Sequence, residues 1–163
     1  MKNFRRDDDE EGRYRNLMTK NILFALFISL VAAFGKVLAN DSITVNVTVE
    51  GFRNKVGICR LLLFENKKGF PDSREYAKLM LSGNIREETV KFSFKVKPGI
   101  YAISILHDEN VNERLDKTWY GKPTEGIGAS NNPKIGFGPP GFKESLINLD
   151  EKNKYIKIKL NYM

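Results

Sequence analysis

The sequence has very few of the residues that form crosslinks and imidazole sites. It contains one cysteine, Cys59, and one histidine, His107. A single cysteine excludes an intramolecular disulfide, and its apolar surroundings in GICRLLLF favour a small buried side chain over a reactive thiol. A single histidine excludes any metal site or proton relay that needs two imidazoles. Only sites that use one imidazole or none therefore remain possible.

Motifs for nucleotides, serine nucleophiles and nucleic acids are also missing. The glycines of GIGASNN do not form GxGxxG between a strand and a helix, and GxSxG is absent. The formal net charge is +7, but the lysines are scattered, and no basic cluster alternates with aromatic residues. We therefore expect neither nucleotide nor nucleic-acid binding.

The chain has no long apolar run either, and its longest uncharged stretch lies near the start. This stretch covers residues 21–35, NILFALFISLVAAFG, and follows Lys20. A membrane span needs about 20 predominantly apolar residues, so the basic start, this apolar core and the small residues before Asn40 predict a cleaved signal peptide within residues 1–39. The five acids that precede Met18 suggest that translation begins at Met18. An uncleaved single-span anchor is the alternative.

Export determines the expected location and partners. We expect residues 40–163 to form a single periplasmic or secreted domain, with membrane contact only through the signal segment if that segment is retained. Residues 1–39 hold seven bases and five acids, so the other 124 residues keep a formal charge of +5. Such dispersed charge favours contact with anionic envelope surfaces over nucleic acid, and the expected partner is an envelope protein or glycan. A chain of 124 residues can bury a core without metals or crosslinks.

Alternation of apolar and polar residues dominates the rest of the chain. This period of two predicts strands over residues 42–52, 56–65, 88–96, 100–108 and 154–162. A single helix or helical turn is predicted over residues 73–81, with Ser73 as a possible N-cap. The pattern as a whole predicts an all-β fold. The architecture that fits is an antiparallel β-sandwich.

Three details of the predicted strands bear on their pairing. Apolar residues on both faces of Leu61 to Phe64 are typical of a strand in the middle of a sandwich. The short turn Lys97-Pro98-Gly99 predicts a hairpin between strands 88–96 and 100–108. Lys157 and Lys159 are expected on a solvated face that discourages edge pairing.

A long polar segment between residues 109 and 141 is rich in glycine and proline. Loops of this length in compact domains are usually functional or disordered. The aromatic residues Trp119, Tyr120, Phe137 and Phe142 favour order. We therefore predict an ordered loop or a series of short elements that forms a recognition face, with Trp119, Tyr120 and Asn131 as binding residues.

The stretch HDENVNERLD, residues 107–116, alternates carboxylate and amide side chains. Asp108, Asn110, Asn112 and Asp116 occupy positions one, three, five and nine of an EF-hand-like calcium loop. The sixth position should be glycine and is Glu113, and the twelfth should be glutamate and is Trp119. Weak calcium binding is one interpretation, and capping of a turn by side chains without metal is the other.

An enzymatic function is the alternative to a binding module. His107 ends the predicted strand 100–108 next to Asp108, where it could act as a general base. A hydrolase would use His107 with Asp108 or Glu125, and a triad would take Ser130 as its nucleophile, although no nucleophile motif surrounds it. In a third interpretation, the loop residues only tie a crossover to the fold by hydrogen bonds.

The order of these motifs resembles a known family. The signal peptide is followed by GxxxxxGxxRxxLF, a GFP turn, PGxYAxxxxHDEN, NxxLD, GxPTEGxGxSNN and FGPPxF. From about Ile43 to Tyr162 the chain resembles the bacterial domain-of-unknown-function family 2141. The resemblance implies a secreted or periplasmic seven-stranded sandwich like transthyretin (prealbumin), and it implies no activity or cofactor.

The family pattern also assigns positions within the loops. It reads HDENGNGKLD, so Val111 and Glu113 stand where glycines are expected, which disfavours a tight cation loop in this chain. The other motif positions match and are expected to pack together. They are His107, Asp108, Asn110, Asn112, Asp116, Pro123, Glu125, Gly126, Gly128, Ser130 and Asn131.

Overall fold

The computed structural model describes residues 18, 20, 21, 41–134, 136 and 138–163. The chain divides into two compact units, Met1–Asn40 and Asp41–Met163. Met18, Lys20 and Asn21 are helical. The predicted signal peptide and Phe137 otherwise lie outside the described residues. Within the described part, no helix is both long enough and apolar enough to span a membrane.

The unit Asp41–Met163 is all-β, as predicted. Its strands are β1 Ile43–Glu50, β2 Ile58–Phe64, β3 Leu79–Asn84, β4 Thr89–Val96, β5 Gly99–Asp108, β6 Gly126–Ala129, β7 Leu146–Leu149 and β8 Tyr155–Lys159. The described residues thus form eight strands where the family resemblance implies seven. The only other regular elements in these ranges are 3-10 helices at Arg74–Tyr76 and Lys143–Ser145.

The strands form two sheets. The first has the order β4-β1-β8, and the second has the order β3-β2-β5-β6. A further strand, β7, pairs with the start of β5 on the same side as β6, so that β6 and β7 lie end to end along one long strand. The predicted glycine-rich loop is therefore interrupted by a strand, because GIGA forms β6.

One pair of strands is parallel, so the prediction of a wholly antiparallel sandwich is wrong at β1 and β8. The strand β7 is antiparallel to β5, and the turn over residues 150–154 then reverses the chain. The chain passes between the two sheets four times from β1 to β8, and β8 then enters beside β1 in the same direction. The backbone N–H of Asn46 donates to the Lys154 carbonyl at 2.7 Å at the start of this pairing.

The predicted hairpin of β4 and β5 is also wrong. The strand β4 pairs with β1, and β5 pairs with β2 in the other sheet. Phe92 and Phe94 of β4 belong to the same buried cluster as Ile103 and Ile105 of β5. Both strands present their apolar residues to the space between the sheets, so burial of both requires stacking face to face. The turn at Lys97 is therefore a passage between sheets.

The main core lies between the two sheets and follows the period of two. Alternate residues of β1, from Ile43 to Val49, are buried there, as are Ile156 and Ile158 of β8. The inward positions predicted for these strands are confirmed. Cys59 is also fully buried in this core, and burial raises the pKa of its thiol to about 12, which agrees with the prediction of an unreactive side chain.

A smaller apolar layer covers the outer face of the second sheet. The strand β2 is buried on both faces, as predicted, with Leu61 in the main core and Phe64 on the outer side. Phe64 packs edge-on against Phe70, and Phe70 against Phe142, at centroid distances of 5.3 and 5.5 Å. The loops after β2 and β6 are therefore fixed against this sheet by aromatic contacts.

The predicted helical segment over residues 73–81 is largely extended. The helical turn is confined to Arg74–Tyr76, and the Ser73 side chain makes no capping hydrogen bond. Leu79 and Leu81 begin β3, opposite Leu63 and Leu61 of β2. Pairing with β2 satisfies the backbone here, and this overrides the helical spacing of the apolar residues.

Candidate functional site

His107 lies at the end of β5 and has no exposed surface. Its Nε2 is 2.7 Å from the Val56 carbonyl, and its Nδ1 is 2.7 Å from the Tyr162 hydroxyl. A carbonyl can only accept, so Nε2 carries a proton, and in the Nε2–H tautomer Nδ1 accepts from the Tyr162 hydroxyl. Burial raises the pKa of Tyr162, which keeps this donor protonated. Both ring nitrogens are occupied, so the geometry does not favour His107 as a general base.

Asp108 is also fully buried and forms an ion pair with Arg60, at 2.7 Å between Oδ2 and Nε. The same carboxylate accepts the backbone N–H groups of Asn112 at 3.0 Å and of Glu113 at 2.9 Å. A buried carboxylate is tolerated only when it is paired and hydrogen-bonded in this way. Asp108 therefore anchors the start of the loop to β2, and neither of its oxygens faces solvent.

The other predicted calcium ligands come together around Asp116. The Asn110 side-chain amide donates to one Asp116 oxygen at 2.7 Å, and the Asn112 amide donates to the other at 2.9 Å. Across the described ranges, no three Asp, Glu, His or Cys side chains are grouped as they would be around a metal ion. The arrangement corresponds to a turn that is capped by its own side chains.

The loop adopts a tight conformation without the glycines of the family pattern. Val111 has a φ of 60° and Glu113 a φ of 65°, both in the left-handed region that glycine adopts without strain. Glu113 gains ion pairs there with Arg74 and Arg60. The lack of glycine therefore changes the strain of this loop but does not prevent its turns.

Two glutamates close the loop in different environments. The buried carboxylate of Glu125 accepts the backbone N–H of Glu109 at 2.9 Å and that of Asp116 at 3.1 Å. Burial raises the pKa of Glu125, although these two hydrogen bonds oppose the effect. Glu109 receives two hydrogen bonds from Arg53, at 2.7 and 2.8 Å, and they lower the pKa of this carboxyl group. Glu125 thus connects both ends of the 109–116 loop.

Ser130 fills the gap between β6 and β7. Its backbone N–H donates to the Ile103 carbonyl at 2.9 Å, and its Oγ accepts the Ile103 N–H at 2.9 Å. The hydroxyl also donates to the Ser145 carbonyl. Ser130 is fully buried, and its position opposite Ile103 is four residues, or about 13 Å, along β5 from His107. The structure therefore does not bring the two together as a triad.

The two asparagines after Ser130 also bond to strand backbones. The Asn131 amide donates to the Leu146 carbonyl of β7. The Asn132 side chain donates to the Lys157 carbonyl of β8 at 2.9 Å and accepts the Lys159 N–H at 2.8 Å. Asn131, a predicted binding residue, is therefore engaged in holding β7. The side chains of the tripeptide SNN thus make hydrogen bonds to the backbones of β5, β7 and β8 in place of those that a neighbouring strand would make.

The predicted binding residues Trp119 and Tyr120 lie at the tip of a small hairpin over residues 117–123, which we call the aromatic hairpin. Lys117 and Pro123 form an antiparallel bridge at its base. The Thr118 N–H donates to the Lys122 carbonyl at 2.8 Å, and the Lys122 N–H donates to the Thr118 hydroxyl at 3.0 Å. Hydrogen bonds of the backbone and of the Thr118 hydroxyl thus define the position of the tip.

The two aromatic side chains project from this tip into solvent. Trp119 is 96% exposed and Tyr120 is 61% exposed. Their rings pack edge to face with centroids 5.3 Å apart. Gly121, with a φ of 88°, completes the turn. The hairpin base is fixed by an ion pair of 2.8 Å between Lys117 and Asp72.

Comparison with known families gives one match. A family model described as "Uncharacterized protein conserved in bacteria (DUF2141)" matches residues 47–157. The chain belongs to this family. No curated protein and no solved structure matches the chain. The DUF2141 match runs from β1 to β8, so it includes HDEN, PTEG, SNN and the aromatic hairpin.

Within this DUF2141 domain, sequence reasoning found the motif residues but missed most of their partners. Arg60 is the one partner that gave a signal, since a charged residue within the apolar strand GICRLLLF requires a buried counter-ion. Val56 gave no signal in the sequence, because it contacts His107 through its backbone carbonyl. Tyr162 gave no signal either, because it lies 55 residues from His107 in the sequence.

Proposed function

We propose that this DUF2141 chain is a non-enzymatic binding module of the bacterial envelope and that the aromatic hairpin is its recognition element. The observation that carries the proposal is the exposure of Trp119 and Tyr120 on a hydrogen-bonded hairpin. Aromatic side chains contribute much of the free energy of binding at protein interfaces. The expected signal peptide supports an exported location.

The hairpin is also suited to binding because its conformation is set in the free chain. Binding that orders a flexible loop loses part of its free energy to the entropy of ordering. Here the bridge at Lys117, the Thr118 hydrogen bonds and the ion pair with Asp72 fix the tip beforehand. A two-sheet scaffold, which we propose to be transthyretin-like, would present this loop as sandwich domains commonly present theirs.

The polar loop residues support a binding module over a hydrolase. His107, Asp108, Glu125 and Ser130 are all buried, and each has backbone or side-chain partners within the fold. A general base and a nucleophile need hydrogen-bond contact with a substrate. Hydrogen bonds that hold the loops account for the polar residues of the motif, whereas the side chains that project into solvent are the aromatic rings of Trp119 and Tyr120.

The sole tryptophan of the chain provides a direct test, because the fluorescence of the full chain reports on Trp119 alone. The emission of the free chain should be that of a water-exposed indole. Addition of the envelope component that binds should shift the emission to shorter wavelength as the ring leaves water. Separate titrations with purified peptidoglycan, outer-membrane vesicles and periplasmic protein would identify that component.

Substitutions then test whether binding depends on the aromatic hairpin or on any exposed apolar side chain. Trp119→Ala should weaken co-sedimentation with the component so identified by about tenfold or more. Ile100→Ala is the matched control, since Ile100 is a 64% exposed apolar residue outside the hairpin, and it should bind normally. Either an emission spectrum that none of the three fractions changes, or normal co-sedimentation of Trp119→Ala with the identified component, would contradict the proposal.

A further inference from the structure

The outer face of the sheet β4-β1-β8 carries an excess of positive charge. Strand alternation places Lys91 and Lys95 of β4 and Lys157 and Lys159 of β8 on this face, all exposed. Glu50 of β1 is the only acidic residue among the outward positions of these three strands, so their net charge is +3. We call these outward positions the lysine face.

The lysines are spaced by the sheet rather than by flexible loops. Thr48 of the central strand pairs with Lys91 on one side and with Lys157 on the other. Neighbouring strands are about 4.8 Å apart, so the backbones of these two lysines are separated by about 10 Å across the sheet. Glu50 forms an ion pair of 2.8 Å with Lys157. For Lys91, Lys95 and Lys159, no acidic partner is found in the part of the chain that the structure describes.

Between the lysines the surface is neutral, polar and flat. The central strand contributes Thr44, Asn46 and Thr48, which are short hydroxyl and amide side chains. Tyr155 pairs in register with Asn46, and its side chain is 75% exposed. Hydroxyl and amide groups both donate and accept hydrogen bonds, which suits a ligand that is rich in hydroxyl groups.

Two cavities adjoin this face at Tyr155 and Lys157, and we call the two together the groove. A cavity of about 210 Å³ lies between Asn46, Thr48, Tyr155 and Lys157. Tyr155 and Lys157 also line an adjoining cavity of about 510 Å³, together with Asn148 and Asn153 of the neighbouring turn region. The two cavities share Tyr155, Ile156 and Lys157, so amides and lysines lie around an exposed aromatic ring beside the apolar side chains of Leu146 and Ile147.

We propose that the lysine face and this groove bind an acidic polysaccharide. The lysines pair with its carboxylate or phosphate groups, the central amides and hydroxyls bond to sugar hydroxyls, and the Tyr155 ring packs on the C–H face of a sugar. A membrane surface fits less well, because interfacial anchors insert several large apolar side chains, and Tyr155 is the only such residue at the outward positions of β4, β1 and β8. This site lies outside the aromatic hairpin and does not depend on the function proposed for it.

The experiment titrates the full chain with polygalacturonate, and in parallel with uncharged dextran, at low and high ionic strength. The expected result is salt-sensitive binding of polygalacturonate that exceeds binding of dextran. Replacement of Lys91, Lys95, Lys157 and Lys159 by Gln should weaken the affinity by about tenfold or more. The matched control replaces four other exposed lysines, Lys67, Lys68, Lys134 and Lys143, by Gln and changes the net charge equally. This control should retain the affinity.

Substitutions at Tyr155 distinguish a sugar-binding site from a surface that binds by charge alone. Tyr155→Ala should weaken polygalacturonate binding by about fivefold, and Tyr155→Phe should keep it, because the ring face rather than the hydroxyl makes the contact. Trp119→Ala should bind polygalacturonate normally, which distinguishes failure of this site from failure of the aromatic hairpin.

Three outcomes would overturn the proposal. One is equal affinity of the lysine-face variant and the matched control. Another is tighter binding to phosphatidylglycerol vesicles than to polygalacturonate, with Tyr155→Ala unchanged, which would assign the face to anionic lipid. Preferential binding of single-stranded poly(dT) would assign it to nucleic acid. Circular dichroism and thermal unfolding of each variant confirm that the fold is intact.

Discussion

At the scale of the single residue, Val111 is the most strained position of the polar loop. A β-branched side chain in the left-handed region places its methyl groups against the backbone, and this conformation costs about 1–2 kcal/mol. Val111 is 50% exposed, so little burial offsets the strain. Glu113 shares the conformation but forms ion pairs with Arg74 and Arg60. The strain is thus uncompensated only at Val111.

Val111→Gly should therefore stabilise the domain by about 1 kcal/mol, since glycine relieves more strain than its added flexibility in the unfolded chain costs. Urea denaturation followed by circular dichroism measures the change. Val56→Gly is the matched control at another exposed valine whose φ is not positive, and it should destabilise slightly. A loss of stability in Val111→Gly equal to that of the control would show that the loop is not strained.

The polar residues of HDEN show what the sequence could predict at this scale. Their concentration in one loop system was visible, and the structure brings them together. Their roles were not visible, because each depends on a partner from a distant segment, such as Arg60 for Asp108 and Val56 for His107. The EF-hand-like spacing arises because alternating Asp and Asn side chains cap successive turns in the same way that they coordinate a cation.

At the scale of elements, β5 depends on a serine side chain to complete its pairing. Two short strands share one of its edges, and Ser130 provides the hydrogen bonds of Ile103 between them. Ser104 lies next to Ile103 and is equally buried, but its hydroxyl has no hydrogen-bond partner among the described residues. The two serines therefore form a natural comparison.

Ser130→Ala should destabilise the domain by about 2 kcal/mol, because the buried Ile103 N–H loses its acceptor. Ser104→Ala should be neutral or slightly stabilising, because it removes an unpartnered buried hydroxyl. Urea denaturation gives both values, and hydrogen exchange at the Ile103 amide should accelerate only in Ser130→Ala. Equal effects of the two substitutions would contradict the proposed role of the Ser130 hydroxyl.

Strand positions were predictable from the period of two, whereas strand partners were not. The alternation in SITVNVTVE and KFSFKV determines which residues are buried, independently of the neighbouring strand. Partner choice depends on which sheet each strand joins, and a short turn permits both a hairpin and a passage between sheets. For β4 and β5 the burial of both apolar faces decided in favour of the passage.

At the scale of the whole molecule, the two sheets are joined along one side by the C-terminal residues. Asn161 follows β8 and forms a two-hydrogen-bond bridge with Ile127 of β6, at 3.0 and 2.9 Å. Gly128 allows this approach, because a Cβ atom there would lie 2.8 Å from the Lys159 carbonyl oxygen and 2.9 Å from the Ile158 side chain. The glycines of GIGA thus serve close packing between the sheets.

Gly128→Ala should destabilise the domain by about 2 kcal/mol, because the backbone of β8 cannot shift away without losing its pairing with β1. Its Asn161 amide should exchange faster than in the unmodified chain. Gly136→Ala is the control, since, its two chain neighbours aside, no atom of the described residues lies within 4 Å of the added Cβ. Unchanged stability in Gly128→Ala would mean that the two sheets can separate freely at this edge.

The parallel pairing of β1 and β8 determines the order in which the fold can be completed. Paired residues of β1 and β8, such as Asn46 and Tyr155, are about 110 residues apart in the sequence. The entropic cost of closing so long a loop is therefore offset only once the whole domain is present. Because synthesis starts at the N-terminus, β1 has only β4 beside it in its sheet until β8 has been synthesised. Removal of β8, Tyr155–Lys159, would consequently leave an open edge on β1.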